Sequence, residues 1–272
     1  MENEKIGFIG IGNMGEALLR GIVDSGLMSP DHIVAHDIDT AKLYNLVDKL
    51  GIKSLESNTA LVKESDIVLL ALKPDVIKNV LTEISAELHH PKWCISIAAG
   101  IAISTIESQL PEGTPVVRVM PNTPAMVREG MSAISPGKYA KDGHIDKVKK
   151  IFQSVGKTVI IHEKLMDAVT ALSGSGPAFV FLMIESLTDA GVQLGLTRAD
   201  AFIMAAQTFL GSSKMVLETG EHPAILKNRV TSPGGTTAAG LYELEKGSIR
   251  ADIINAVTAA AYRSKQLSPE IL

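Results

Sequence analysis

Residues 5–15 read Lys5-Ile6-Gly7-Phe8-Ile9-Gly10-Ile11-Gly12-Asn13-Met14-Gly15. Ile6, Phe8 and Ile9 supply a short apolar run, the length of one buried strand. Gly10, Gly12 and Gly15 follow it as Gly-x-Gly-x-x-Gly. The first glycine allows a tight turn, the second lets a pyrophosphate approach bare backbone, and the third lets the next helix pack close to the strand. That helix is predicted from Asn13 to about Ser25, with Ala17, Leu18, Ile22 and Val23 facing inward. Its N-terminal amides and dipole suit an anion. A lone glycine triplet says little, but a strand before it and a helix after it are the context a dinucleotide site requires. The competing reading is a glycine-rich turn without a ligand.

Strands and helices alternate outward from this stretch, which predicts a parallel sheet. Ile33 to His36, Asp66 to Leu72, Trp93 to Ile97 and Val116 to Val119 read as strands. Ala41 to Leu50 reads as a helix stopped by Gly51. Met131 to Ile134 and Thr158 to Ile161 are further β candidates around a helix near residues 145–155. Ligands in such sheets bind beyond the carboxyl ends of the strands, so the punctuation carries the function. His36-Asp37 closes the second strand roughly 20 residues past the last glycine, where an acid can accept hydrogen bonds from ribose hydroxyls. Lys73-Pro74 follows Leu72, and Pro74 suits a helix's first turn. Ala98, Ala99 and Gly100 after Ile97 leave room for a flat ring. Asn122 is placed to bond a carboxamide or a substrate group. Small residues and prolines also make plain turns, but together at successive strand ends they favour a lined cleft.

After His162 the chain becomes alanine-rich and helical, so the boundary is predicted at 162/163. Residues 1–162 form a Rossmann-type dinucleotide-binding domain and residues 163–272 an all-α dimerisation and substrate-binding domain. Leu165 to Leu172 is one predicted helix, interrupted by Ser173-Gly174-Ser175-Gly176. A long apolar helix runs from Pro177 to about Gly191. Thr197-Arg198-Ala199-Asp200 resembles a capping box opening a helix to about Glu218, and Ser248 caps the last, to about Leu267. Phe179, Phe181, Met183, Ile184 and Leu187 are apolar around more than one face of their helix, which must then be buried on several sides. Helices of a second subunit would provide that cover; an internal helix of one bundle is the alternative. The stretch Val230-Thr231-Ser232-Pro233-Gly234-Gly235-Thr236-Thr237 cannot be helical. Dense in hydroxyls and glycines, it makes a nest of amides suited to a carboxylate.

Composition bounds the rest. Of 272 residues, 46% are hydrophobic and 21% charged, as a packed globular protein requires. A net charge of −4 gives no electrostatic reason to invoke nucleic acid or an anionic membrane. One cysteine, Cys94, excludes an intrachain disulfide and suits a reducing, cytoplasmic setting. A strand begins almost at the first residue, so no signal peptide is expected. The apolar run Pro177 to Ile184 stops at Glu185, too short to span a bilayer. The histidines lack metal-ligand spacing, so no metal is expected.

The chain resembles the Δ1-pyrroline-5-carboxylate reductases of proline synthesis. The resemblance rests on Phe8 to Gly15, Leu72-Lys73-Pro74, Ser96 to Gly100 and Met120-Pro121-Asn122-Thr123-Pro124. It continues through Leu172 to Ala178, Glu218-Thr219-Gly220-Glu221-His222-Pro223 and Thr231 to Thr237. These occur in family order over essentially the whole length, and the last is the most discriminating. The resemblance implies reduction of a cyclic imine carboxylate to L-proline by NADPH or NADH. It implies that Ile9, Gly10, Ile11, Gly12, Asn13 and Met14 hold the pyrophosphate. It implies that Asn58, Ala71, Lys73, Pro74, Ala98 and Ala99 line the cofactor; Gly15, His36, Asp37, Leu72, Ile97 and Asn122, read from their places in the glycine loop and at the strand ends, complete the expected cofactor site. Ser232, Gly234, Gly235, Thr236 and Thr237 form the substrate site: Gly235 and Thr236 present backbone to the carboxylate, and Thr237 sets its hydroxyl beside the imine nitrogen as the catalytic residue. It implies a homodimer, with a ring of dimers as the larger option.

One position departs from the family pattern. NADPH-preferring members tend to carry small hydroxyl residues after the second strand, where this chain has His36-Asp37-Ile38-Asp39. A carboxylate repels a 2′-phosphate, so NADH should at least be accepted. Two other classes compete. A β-hydroxyacid dehydrogenase shares the N-terminal loop but needs a lysine in the first helix after the nucleotide domain, and Lys164 sits before that helix. A non-enzymatic dinucleotide sensor would not need the hydroxyl-rich loop.

Overall fold

The computed structural model describes residues 4–267; residues 1–3 and 268–272 of the two expected domains lie outside the described residues. The chain forms two compact units. One runs to Ser175 and takes in the chain again from Ala260; the other is Gly176–Ala259.

The first unit is built on an eight-stranded sheet. Its strands are β1 (Ile6–Ile9), β2 (Ile33–His36), β3 (Lys53–Ser54), β4 (Ile67–Leu70), β5 (Trp93–Ser96), β6 (Val116–Met120), β7 (Gly130–Pro136) and β8 (Gly156–Ile160), in the order β3-β2-β1-β4-β5-β6-β7-β8. All neighbours are parallel except β6 and β7. The order reverses between β1 and β4, the point where an open α/β sheet leaves a crevice beyond its carboxyl ends. Central strands buried on both faces read as continuous apolar runs, as Ile67–Leu70 does.

Side chains alternate across the strands. Ile6, Phe8, Ile67 and Leu69 face a core shared with Leu18, Ile22 and Phe152. Ile9, Val68 and Leu70 face a second core with Leu61, Leu81 and Ile106. Full burial of each such side chain is worth about 1.5–3 kcal/mol. The covering helices are α1 (Asn13–Asp24), α2 (Thr40–Leu50), α3 (Asn58–Glu64), α4 (Pro74–Ile84), α5 (Ile103–Glu107) and α6 (Asp142–Gln153). Helix α2 starts at Asp39, whose side chain accepts the Lys42 amide, and stops at Gly51, φ 68°.

The expected break at Ser173–Gly176 narrows to a bend at Ser175. A short α7 (Met166–Val169) passes into a π turn, Thr170–Gly174, where Ser175 N donates to Thr170 O at 2.8 Å. The segment from Glu163 belongs to the sheet unit: Glu163 pairs with Arg118, Ser173 O accepts from Asn122, and Ser264 Oγ donates to Asp167. The compact units divide at Ser175/Gly176.

The second unit holds α8 (Gly176–Gln193), α9 (Arg198–Thr219), α10 (Pro223–Arg229), α11 (Thr236–Lys246) and most of α12 (Ile249–Leu267). Thr197 caps α9 by accepting the Asp200 amide, while Asp200 accepts the Thr197 hydroxyl rather than its backbone. Helix α8 runs past Glu185, and residues Glu163–Gln193 have the length and apolarity to cross a bilayer by composition alone, longer than the sequence reading allowed. Phe181 and Leu182 on α8 are both 62% exposed, and Phe202 and Ile203 on α9 also face outward. With Leu187 exposed as well, α8 is not the internal helix of a single-chain bundle.

Candidate active site

At the switch point, β1 and β4 deliver two backbone segments side by side. Ala71 N donates to Ile9 O and Gly10 N to His36 O, both at 2.9 Å, so the loops after β1, β2 and β4 are tied together. They wall a cavity of about 590 Å³ lined by Ile9, Gly10, Gly12, His36, Asp37, Asn58, Ala71, Leu72 and Lys73, and further by Ile38 and α4. The volume is that of a small-molecule site.

The glycine loop fits a dinucleotide. Gly10 has φ 92°, and a Cβ there would lie 2.5 Å from Ala71 O. A Cβ on Gly15 would lie 2.5 Å from Gly10 O, so the third glycine lets α1 approach the strand. At Gly12 a Cβ would meet nothing within 4 Å, leaving bare backbone beside open space at the start of α1. Such a helix start favours a phosphate. Ile11 is fully buried and contributes its amide, which donates to Asp37 Oδ2 at 2.6 Å. Asp37 Oδ1 accepts from Asp39 N at 2.8 Å. His36 uses Nδ1 on Leu55 O. Asn58 opens α3 behind the capping Ser57; its Nδ2 donates to Glu83 Oε2 at 2.8 Å, and its buried Oδ1 has no partner. An orphaned acceptor on a cavity wall is what a hydroxyl- or amine-bearing ligand would satisfy.

The sequence reading missed Ile38, Asp75, Val76, Asn79, Val80 and Glu83. The i, i+3, i+4, i+7 spacing of Val76, Asn79, Val80 and Glu83 after Lys73-Pro74 marks one face of α4, a signal that was present. Other predicted residues lie outside this cavity. Asn13 and Met14 begin α1, and Pro74 is the first residue of α4. Ile97 N bonds Leu70 O, and Ala98 is buried with its amide on Ser96 Oγ, while Ala99 is exposed. Asn122 makes one bond at each end of its amide, Oδ1 accepting from Met131 N at 2.8 Å and Nδ2 donating to Ser173 O at 3.0 Å, which leaves it one N–H and one lone pair. It ties the end of β6 to β7 and to the π turn.

The second unit carries the hydroxyl-rich loop. Residues 231–235 are non-helical, and Thr236 already begins α11 with Gly235 at its cap position. Gly234 takes φ 66°, which favours glycine. Gly235 N donates to Ser232 O at 3.1 Å, so it is not the free amide expected for a carboxylate. The first helical bond runs from Ala239 N to Gly235 O, so the amides of Thr236, Thr237 and Ala238 point beyond the helix start with no side-chain cap. Thr231 Oγ1 donates to Lys227 O and anchors the loop to α10, and Ser232 and Thr236 are exposed. Among the described residues no cluster of His, Cys, Asp or Glu could hold a metal ion.

Residues 163–267 match the family described as pyrroline-5-carboxylate reductase dimerisation, and residues 5–100 one described as NADP oxidoreductase, coenzyme F420-dependent. A protein of Methanosarcina acetivorans named pyrroline-5-carboxylate reductase is 50% identical over 98% of this chain and 99% of its own. An Escherichia coli protein of the same name is 41% identical over 97% and 98%. The solved reductase of Coxiella burnetii superposes with TM-score 0.94 at 36% identity, covering 98% of this chain and 100% of that one. The Plasmodium falciparum enzyme, solved with NADP bound, gives 0.87 at 38%, covering 99% and 100%. The glycine loop at the switch point, the hydroxyl-rich loop before α11 and full-length relatives at these identities agree: the chain belongs to the pyrroline-5-carboxylate reductase family.

Proposed function

We propose that this chain reduces L-1-pyrroline-5-carboxylate to L-proline with NADPH or NADH, the last step of proline biosynthesis. The observation that carries the reading is the uncapped start of α11 behind the Ser232–Gly235 turn, a cluster of amides and hydroxyls shaped for a small carboxylate. Glycine-loop backbone from Gly10 to Gly15, with Asp37, Asn58, Ala71, Leu72 and Lys73, would hold the dinucleotide. Bound there, the nicotinamide supplies a hydride for the C=N carbon.

The chain's own contribution is positional. The amides of Thr236, Thr237 and Ala238 would receive the substrate carboxylate, where the helix dipole favours negative charge. The Thr237 hydroxyl would orient the imine nitrogen; as a poor acid it serves as a hydrogen-bonding group and relays a proton from water. Holding two reactants in register replaces much of the entropic barrier. Residues from 163 onward would form the oligomerisation domain and assemble a homodimer, with a ring of dimers as the higher state. The exposed apolar groove of about 1040 Å³ lined by Phe181, Leu182, Ile184 and Phe202 supports that assembly. A cytoplasmic location fits a chain with one cysteine, Cys94, which is free and buried. A spectrophotometric assay of cofactor oxidation with pyrroline-5-carboxylate tests the reaction: substrate-dependent oxidation with proline formed is expected, and none would refute it.

A further inference from the structure

The walls of the dinucleotide cavity are rich in hydrogen-bond acceptors. Asp37 is held by two backbone amides, Ile11 at 2.6 Å and Asp39 at 2.8 Å, one to each oxygen. It cannot swing away without releasing the glycine loop. Each carboxylate oxygen still has a lone pair for a ligand donor. Glu83 accepts from Asn58 Nδ2, and because a carboxylate can only accept, that bond fixes which way the amide faces. Asn58 Oδ1 is therefore the group left over, and it has no partner.

The charges around the cavity point the same way. Its lining carries Asp37, Asp75 and Glu83 against the single ammonium of Lys73. Three basic side chains of the surrounding elements are engaged elsewhere. Lys42 stands 3.2 Å from Glu16, and Arg20 is 2.9 Å from the same carboxylate. Lys53 pairs with Glu64 at 2.8 Å. Among the described residues no guanidinium lines the cavity to receive a phosphate.

We propose that Asp37, clamped by the Ile11 amide and backed by Asn58 and Glu83, makes this cavity select a dinucleotide with a free ribose 2′-hydroxyl over one with a 2′-phosphate. A 2′-hydroxyl has a proton to donate to such acceptors. A 2′-phosphate carries about −1.5 to −2 charge, by analogy with protein phosphates, and offers only acceptors. The proposal rests on the dinucleotide reading of the cavity and deepens it, making NADH rather than NADPH the preferred partner.

The test is calorimetric titration of the whole protein at pH 8 with NADH, NADPH, ADP and adenosine 2′,5′-bisphosphate. The wild-type protein should bind NADH on the order of tenfold tighter than NADPH, and ADP tighter than the bisphosphate, as like charges a few ångströms apart require. Discrimination should shrink between 50 mM and 1 M salt, on the scale of the Debye length. Asp37→Asn keeps an oxygen for the Ile11 amide and removes the charge. It should cut the NADPH/NADH ratio of dissociation constants to roughly threefold or less, chiefly by tightening NADPH. Equal or tighter NADPH binding by the wild type, or an unchanged ratio in a folded Asp37→Asn, overturns the proposal. Failure of all four nucleotides to bind overturns the dinucleotide reading itself, and the proposal with it.

Discussion

Glu163 Oε1 lies 3.0 Å from Arg118 Nη1, and the same oxygen accepts the Ile103 amide at 2.7 Å. Arg118 is 6% exposed in β6, so Glu163 neutralises a cation that has little water. Removing one partner of a buried pair leaves the other uncompensated. Glu163→Gln keeps an acceptor for Ile103 but not the charge. It should lower unfolding free energy by about 1–3 kcal/mol, below the fully buried range because Glu163 is partly exposed. Urea denaturation checks this; an unchanged midpoint would show the pair contributes nothing.

His144 sits in the first turn of α6, its ring 4.9 Å from that of Trp93 and its Nδ1 accepting the Lys141 amide at 2.9 Å. Burial, with Lys147 and Lys141 nearby, holds its pKa below the usual 6.5. The folded state therefore binds fewer protons than the unfolded chain in that window. Stability from this group is fully present above about pH 6.5, and is lost as pH falls through the folded value. Denaturation midpoints measured from pH 7.5 down to 5 should fall, and His144→Gln should flatten the curve. Parallel curves for the two proteins would assign the fall to other groups.

The apolar groove of α8 and α9 predicts a dimer. Sedimentation at micromolar concentration should show twice the chain mass or a multiple of it. Phe202→Glu should shift the protein toward monomer, because a carboxylate in a covered apolar face is strongly disfavoured. A monodisperse wild-type monomer contradicts the prediction.

Much of this was legible in the sequence. Ile6–Ile9 with its glycines, and the unbroken run Ile67–Leu70, carry strong local signals, so the sheet core and the cofactor loop emerge directly. Short elements were not legible: β3 has two residues and α5 five, too few to show a period. Ser173–Gly176 looks like a break because glycine and serine are poor helix formers; a π turn carries the helix as far as Gly174 and leaves the bend at Ser175. Asn122 has the composition of a ligand contact, and only the fold shows that its amide also bonds Met131 and Ser173. Glu83 was hidden because its role depends on Asn58, distant in sequence.

Thr237→Ala should lower turnover by roughly 10²-fold or more while cofactor affinity changes less than about threefold, since its hydroxyl is assigned to substrate and not to nucleotide. Steady-state kinetics beside a fluorescence titration of the cofactor separate the two. Equal loss of both would remove Thr237 from the substrate site.

The hydride itself can be followed from cofactor to product. The protein is given pyrroline-5-carboxylate and a nicotinamide cofactor stereospecifically deuterated at C4, as either of its two C4 epimers, and the product is read by mass spectrometry. With one epimer, the expected product is L-proline carrying a single deuterium on the ring carbon that held the C=N bond, and with the other it is unlabelled proline. Unlabelled proline from both epimers, or no proline at all, would contradict the proposed reduction.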